Sequence, residues 1–195
     1  RYRHAEPQTL RGFLKNFENS RKALVTHLKT YALRTDGPFV LASGEVSEWY
    51  VDGRQTTFDG DGARLVGTCL AAMLDDEVTA VGGMTMGADP IAVATAVMAE
   101  RPLKAFSVRK TAKDHGTGGR LVGPVGPNDH VAVVEDATTT GASAAAAIAA
   151  LRDEGITVIQ AITLVDRSYG AAATVMDQLG VPFRSVVTLE DLGVE

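Results

Sequence analysis

The run from Val131 to Ser143, VAVVEDATTTGAS, holds the densest group of reactive side chains in the chain. Val131 to Val134 predict a short buried strand that ends in Glu135 and Asp136. Ala137, Thr138, Thr139, Thr140 and Gly141 form a hydroxyl- and glycine-rich turn, and Ala142 and Ser143 open an alanine-rich helix. N–H groups in the first turn of a helix lack intrahelical partners and lie at the positive end of the helix dipole. Together with the hydroxyls they make a phosphate cradle. Two carboxylates just before it suit ribose hydroxyls or magnesium-bound water. An ordinary helix start needs one capping Ser or Thr, and three threonines before a glycine exceed that need.

A second group is cationic. Residues 101 to 120 hold Arg101, Lys104, Arg109, Lys110, Lys113 and Arg120 against Asp114 alone, a net of +5. The other 175 residues hold 13 basic and 23 acidic groups, a net of −10. A charge run is ordinarily a solvated loop. This one also carries His115 and the glycines 116, 118 and 119, which let a loop move and close on a polyanion.

The glycine run Gly82 to Gly87 has the spacing of a P-loop, but Ala88 and Asp89 follow it where Lys and Ser/Thr are needed. No G-x-G-x-x-G dinucleotide fingerprint occurs. Overall charge is −5, which argues against nucleic-acid and membrane-surface partners. No apolar run reaches the length of a membrane span, and residues 1–7 lack the apolar core of a signal peptide. The single cysteine, Cys69, excludes an internal disulfide and reads as a buried core residue in a reducing, cytoplasmic setting. His27 and His130 read as structural or surface residues, and Asp75 to Glu77 as a solvated turn.

These groups need elements to hold them. Apolar spacing predicts helix over about residues 9–34, ended near Asp36-Gly37-Pro38, and a second helix around 65–73. Extended segments are expected at 39–41 and 46–52. Beyond residue 78 strands and helices alternate. Strands are expected at 78–81, 103–108, 131–134, 156–165 and 183–187, and helices at 91–98, 142–154 and 171–179. Asp89 is expected as N-cap and Pro90 as the first helical residue. Unbroken apolar strands between helices indicate an α/β fold with a parallel sheet covered on both faces. At 195 residues this is a single domain overall, with an N-terminal helical segment at 1–38 and the core at 39–195. Ligands of such sheets bind beyond the carboxyl ends of the strands, which here means the loops after Val81, Val108, Val134 and Val165.

The run 135–143 resembles the phosphoribosyl pyrophosphate (PRPP) motif of the type I phosphoribosyltransferases. The run RKTAKDHGTGG, Arg109 to Gly119, resembles the catalytic loop of the orotate phosphoribosyltransferases. Leu41 to Gly44 with Tyr50 to Arg54 resembles their N-terminal substrate segment, and Asp166-Arg167 their orotate-contacting pair. The resemblance runs in order over about residues 39–192. It implies a parallel sheet flanked by helices with a small N-terminal hood, and transfer of phosphoribosyl from PRPP to N1 of orotate in UMP synthesis with Mg²⁺. The ion would be held through PRPP and water, without protein ligands.

Carried over residue by residue, the resemblance places Glu135, Asp136 and Ala137 to Ser143 on PRPP. Arg109, Lys110, Lys113 and His115 would sit on the diphosphate, and Thr139 and Arg167 on orotate. Lys113, His115, Asp136 and Arg109 would be catalytic. It further implies a homodimer in which Arg109, Lys113 and His115 reach the neighbouring site while Lys110 serves its own. Three positions depart from the pattern: Ala42 where Lys is frequent, Thr85-Met86 where an aromatic-Lys pair is frequent, and Glu135 in place of the first Asp. The alternatives are a non-catalytic PRPP sensor and a phosphoribosyltransferase for another base. The sensor would keep the cradle without needing the Lys113-Asp114-His115 loop.

Overall fold

The computed structural model describes residues 10–40, 44, 46–113 and 119–194. Helix α1 (Leu10–His27) runs into a π-helical turn at Leu28–Ala32. Short strands β1 (Leu33–Arg34), β2 (Phe39–Val40), β3 (Val46–Ser47) and β4 (Tyr50–Val51) follow, pairing as β1 with β4 and β2 with β3, both antiparallel. A turn of helix, α2 (Arg54–Thr57), leads into α3 (Gly60–Met73). The Asp59 side chain caps α3 by accepting from the N–H groups of Asp61 and Gly62. His27 joins this corner, with its ring 3.2 Å from the Thr56 hydroxyl and 3.0 Å from Asp59, so it is structural as expected.

The main body alternates as predicted, with β7 and α7 as unpredicted additions: β5 (Ala80–Met84), α4 (Ala88–Met98), β6 (Lys104–Lys113), β7 (Gly119–Val122), β8 (His130–Thr138), α5 (Ala142–Asp153), β9 (Thr157–Asp166), α6 (Ala171–Gln178), β10 (Phe183–Thr188) and α7 (Leu189–Leu192). Among the described residues the main sheet has six strands in the order β10-β9-β8-β5-β6-β7. Five are parallel. The expected parallel sheet is present, and β7 adds an antiparallel strand beside β6 at its edge.

Alternation along the strands divides the core. Ala132 and Val134 join Leu24, Leu28, Leu70 and Ile91 on the α1, α3 and α4 side. Val131 and Val133 join Ile148, Leu151 and Met176 on the α5 and α6 side. Cys69 is fully buried, as expected. From β5 the chain progresses to β6 in one direction and from β8 to β9 and β10 in the other. The crevice between the carboxyl ends of β5 and β8 is therefore the switch point, where a sheet of this kind binds its ligand.

Candidate active site

β8 continues four residues past its predicted end. Glu135 to Thr138 belong to the strand, and Thr138 still pairs with Asp166 of β9. Alternation then sends the two carboxylates to opposite faces. Glu135 turns toward α5, near the Ser143 and Thr138 hydroxyls, which favour its charged form; burial outweighs them and pushes its carboxyl up to about 7. Asp136 turns toward β5 and α4. Burial raises its pKa as well, opposed by the Ala137 N–H and the nearby Arg54 charge.

The cradle lies between them and α5. Gly141 is left-handed, at φ 77°, and a Cβ there would press on Ala172 Cα at 3.1 Å, so glycine is needed at this turn. The Gly141 N–H donates to Thr138 Oγ1 at 3.1 Å, and the Ala142 N–H to Thr140 Oγ1 at 3.3 Å. Thr138 is buried and shapes the loop from within, whereas Thr139, Thr140, Ala142 and Ser143 are exposed around its mouth.

The turn after β5 approaches Asp136 closely. A Cβ on Gly87 would overlap the Asp136 carboxylate, and one on Gly53 would touch its Cβ at 3.4 Å. The Thr85–Met86 peptide is cis. α4 starts at Ala88 with Gly87 as its N-cap, so Asp89 lies inside the first turn and does not cap it. The reason is local: the Thr85 hydroxyl donates to Asp89 Oδ2 at 2.6 Å, which turns the carboxylate back toward the loop.

The cationic run is split by the hairpin. Arg109, Lys110 and Lys113 are on β6, where a loop beginning at 109 was expected. Arg120 Nε donates to the Arg109 carbonyl at 2.9 Å and fastens β7 to β6. Arg101 and Lys104 belong to the opposite end of the sheet. Arg101 binds the carbonyls of Asp75, Asp76 and Val78, and Lys104 pairs with buried Asp129 at 2.9 Å. The 75–77 turn is thus held from within by Arg101. His115 lies outside the described residues, as does Ala42.

Arg167 follows β9, and its N–H donates to the Thr138 carbonyl at 2.9 Å. Its guanidinium lies 5.3 Å from the Trp49 ring centroid and 5.8 Å from that of Tyr50, with Nη1 3.4 Å from the Val51 carbonyl. Its Nε is buried without a partner. Asp166 accepts from the Ser168 N–H at 2.8 Å and forms no ion pair with Arg167. Trp49 escaped the sequence reading, although it is the chain's one tryptophan and precedes Tyr50 in the substrate segment.

No family model matches the chain. The orotate phosphoribosyltransferase of Streptomyces avermitilis is 42% identical over 182 residues, covering 91% of this chain and 100% of that one. The chain belongs to the orotate phosphoribosyltransferase family. Two solved structures of the Mycobacterium tuberculosis orotate phosphoribosyltransferase agree. Its Fe(III) dicitrate complex superposes with a TM-score of 0.82 at 38% identity. Its PRPP complex gives 0.78 at 35%, and each covers 90% of this chain and 99% of that one. The fold is the type I phosphoribosyltransferase fold, and the activity is orotate phosphoribosyl transfer in pyrimidine biosynthesis.

Orotate phosphoribosyltransferase chemistry raises the question of magnesium. Among the described residues no three His, Cys, Asp or Glu gather into a metal cage. Glu135 and Asp136 face apart and cannot chelate one ion together. Mg²⁺ keeps several waters and binds through one or two carboxylates plus substrate phosphates. Asp136, with Asp52 close enough to raise its pKa, fits that water-mediated role. No described helix is long and apolar enough to cross a membrane.

Proposed function

We propose that the chain performs its family's reaction with the following division of labour. PRPP lies across the crevice between β5 and β8. The 5′-phosphate occupies the cradle of Thr139 to Ser143, and the diphosphate lies against the turn 84–87. The C1′–O bond to diphosphate breaks, a bond from N1 of orotate to C1′ forms, and the N1 proton passes to the departing diphosphate or to solvent. Asp136, beside the turn, faces the ribosyl centre as positive charge develops there. Glu135 faces the cradle and holds Ser143 in place. Arg167 presents its donors to the carboxylate or a carbonyl edge of orotate.

Arg109, Lys110, Lys113 and His115 meet the charge of the leaving diphosphate. Mg²⁺ would be held chiefly by the substrate's phosphates and water, with Asp136 as the nearby carboxylate, and would supply further neutralisation of that charge. In the homodimer Arg109, Lys113 and His115 serve the neighbouring site and Lys110 its own. The compartment is the cytoplasm.

The observation that supports this reading is the abutment of Gly87 on Asp136, a glycine turn against a half-buried carboxylate at the switch point. The test is loss of orotate absorbance on mixing protein, orotate, PRPP and Mg²⁺. Turnover of a purine base with none of orotate overturns the base assignment. PRPP binding with no turnover of any base favours a sensor.

A further inference from the structure

The turn Met84-Thr85-Met86-Gly87 carries no charged side chain, so it has no side-chain cation for the diphosphate. Its shape is instead controlled by Asp89. The carboxylate takes the Thr85 hydroxyl at 2.6 Å, and the Asp89 N–H donates to the Met86 carbonyl at 3.3 Å. Asp89 thus grips the turn at two successive residues. The Thr85 N–H donates to the Val108 carbonyl at 2.8 Å, which ties the same residue to β6 just before Arg109. Asp89 Oδ1 is enclosed without a partner. The far side of the turn is Gly87 against Asp136.

A buried, unpaired carboxylate oxygen next to a diphosphate subsite is costly and repels the ligand. A favourable interaction with the helix dipole accounts for an acid at this position. It does not account for the bond to Thr85, which a carboxylate turned to solvent would forgo. We propose that Asp89 is a positioning residue for the diphosphate. Acting through Thr85, it holds the turn so that backbone N–H groups at the start of α4 face the leaving group. Backbone donors fixed in place do the work that a side-chain cation would otherwise do. This rests on the phosphoribosyl-transfer reading.

The test uses Thr85→Val, which keeps shape and loses the donor, with Thr85→Ala as a second donor-free variant. Thr85→Ser and Asp89→Asn keep a donor and an acceptor. Calorimetry gives the Kd of magnesium diphosphate, and initial rates give KM for PRPP and for orotate. The donor-free variants are expected to weaken diphosphate and raise the PRPP KM about tenfold, the worth of a hydrogen bond to a charged group. The orotate KM and the Tm stay close to wild type. Thr85→Ser restores the diphosphate Kd, and Asp89→Asn keeps it within about threefold. Unchanged diphosphate affinity in the donor-free variants overturns the proposal. So do equal losses for PRPP and orotate with a lowered Tm, or an Asp89→Asn defect as large as that of Thr85→Val. A wild-type protein that binds magnesium diphosphate without turning over orotate fails the functional reading alone, because the calorimetric comparison still stands.

Discussion

Glu135 and Asp136 are consecutive residues whose carboxylates leave opposite faces of the sheet, one toward Ser143 of α5 and the other toward Gly87 and Gly53. The relationship follows from the continuation of β8 through Thr138. It separates two acids that the motif presents as a pair. Of the two, only Asp136 faces the turn at Gly87, the side on which the diphosphate is proposed to lie. Asp136→Asn is therefore expected to lower kcat by about 10²-fold or more, the scale of losing one electrostatic contact made in the transition state. Glu135→Gln should act mainly on the PRPP KM. Steady-state rates with PRPP varied check both, and a larger kcat loss in Glu135→Gln contradicts the assignment.

Glu135 also makes stability depend on pH. Its carboxyl has a folded pKa of about 7, above its unfolded value of 4.5. The folded state therefore holds the proton more tightly, and stability falls as pH rises from about 4.5 through about 7. The full effect is at most about 3 kcal/mol. Other carboxylates shift in both directions, so the useful quantity is the difference between wild type and Glu135→Gln. Urea unfolding at several pH values should show wild type losing stability relative to the variant across that window. A pH-independent difference contradicts the buried, protonated carboxyl.

The Trp49 ring supports the Arg167 guanidinium. A cation–π contact of this kind is worth about 0.5–2 kcal/mol. Trp49→Ala should raise the orotate KM several-fold and leave the PRPP KM near wild type, and Trp49→Phe should recover part of the loss. Because Trp49 is the chain's only tryptophan, its fluorescence should change on titration with orotate, which gives an affinity independent of turnover.

Among the basic residues of the 101–120 run, Arg101 and Lys104 are engaged at the end of the sheet away from the crevice, apart from Arg109, Lys110 and Lys113. Arg101 secures three carbonyls at 75, 76 and 78, far along the sheet from the crevice. Arg101→Ala is expected to lower Tm by several degrees with kcat preserved. Lys113→Ala is expected to lower kcat by at least tenfold with Tm preserved. Thermal melts paired with initial rates separate the two, and normal turnover by Lys113→Ala contradicts its catalytic role.

The sequence carried much of this by itself. The runs 135–143 and 109–119 and the pair Asp166-Arg167 stood out as candidates because each is contiguous and made of residue types that a packed core does not require. The alternation of β5, α4, β8, α5, β9 and α6 was legible for a related reason. Strands buried on both faces read as apolar runs, and glycines such as Gly155 and Gly180 stop the helices at positive φ. Local pattern could not reveal how far β8 and β6 extend. Polar residues at 109–113 and 135–138 look like loop, and the pairing that makes them strand comes from partner strands, the following β7 for the first and β9 beyond α5 for the second. The same applies to Asp136 against Gly87, Arg167 on Trp49, and Arg101 and Lys104 turned away from the site. Each depends on which elements become neighbours, and the one-dimensional pattern of hydrophobicity and charge does not encode that directly. The tertiary structure decided it by placing β5 beside β8, so that a glycine turn and a carboxylate nearly fifty residues apart share one crevice.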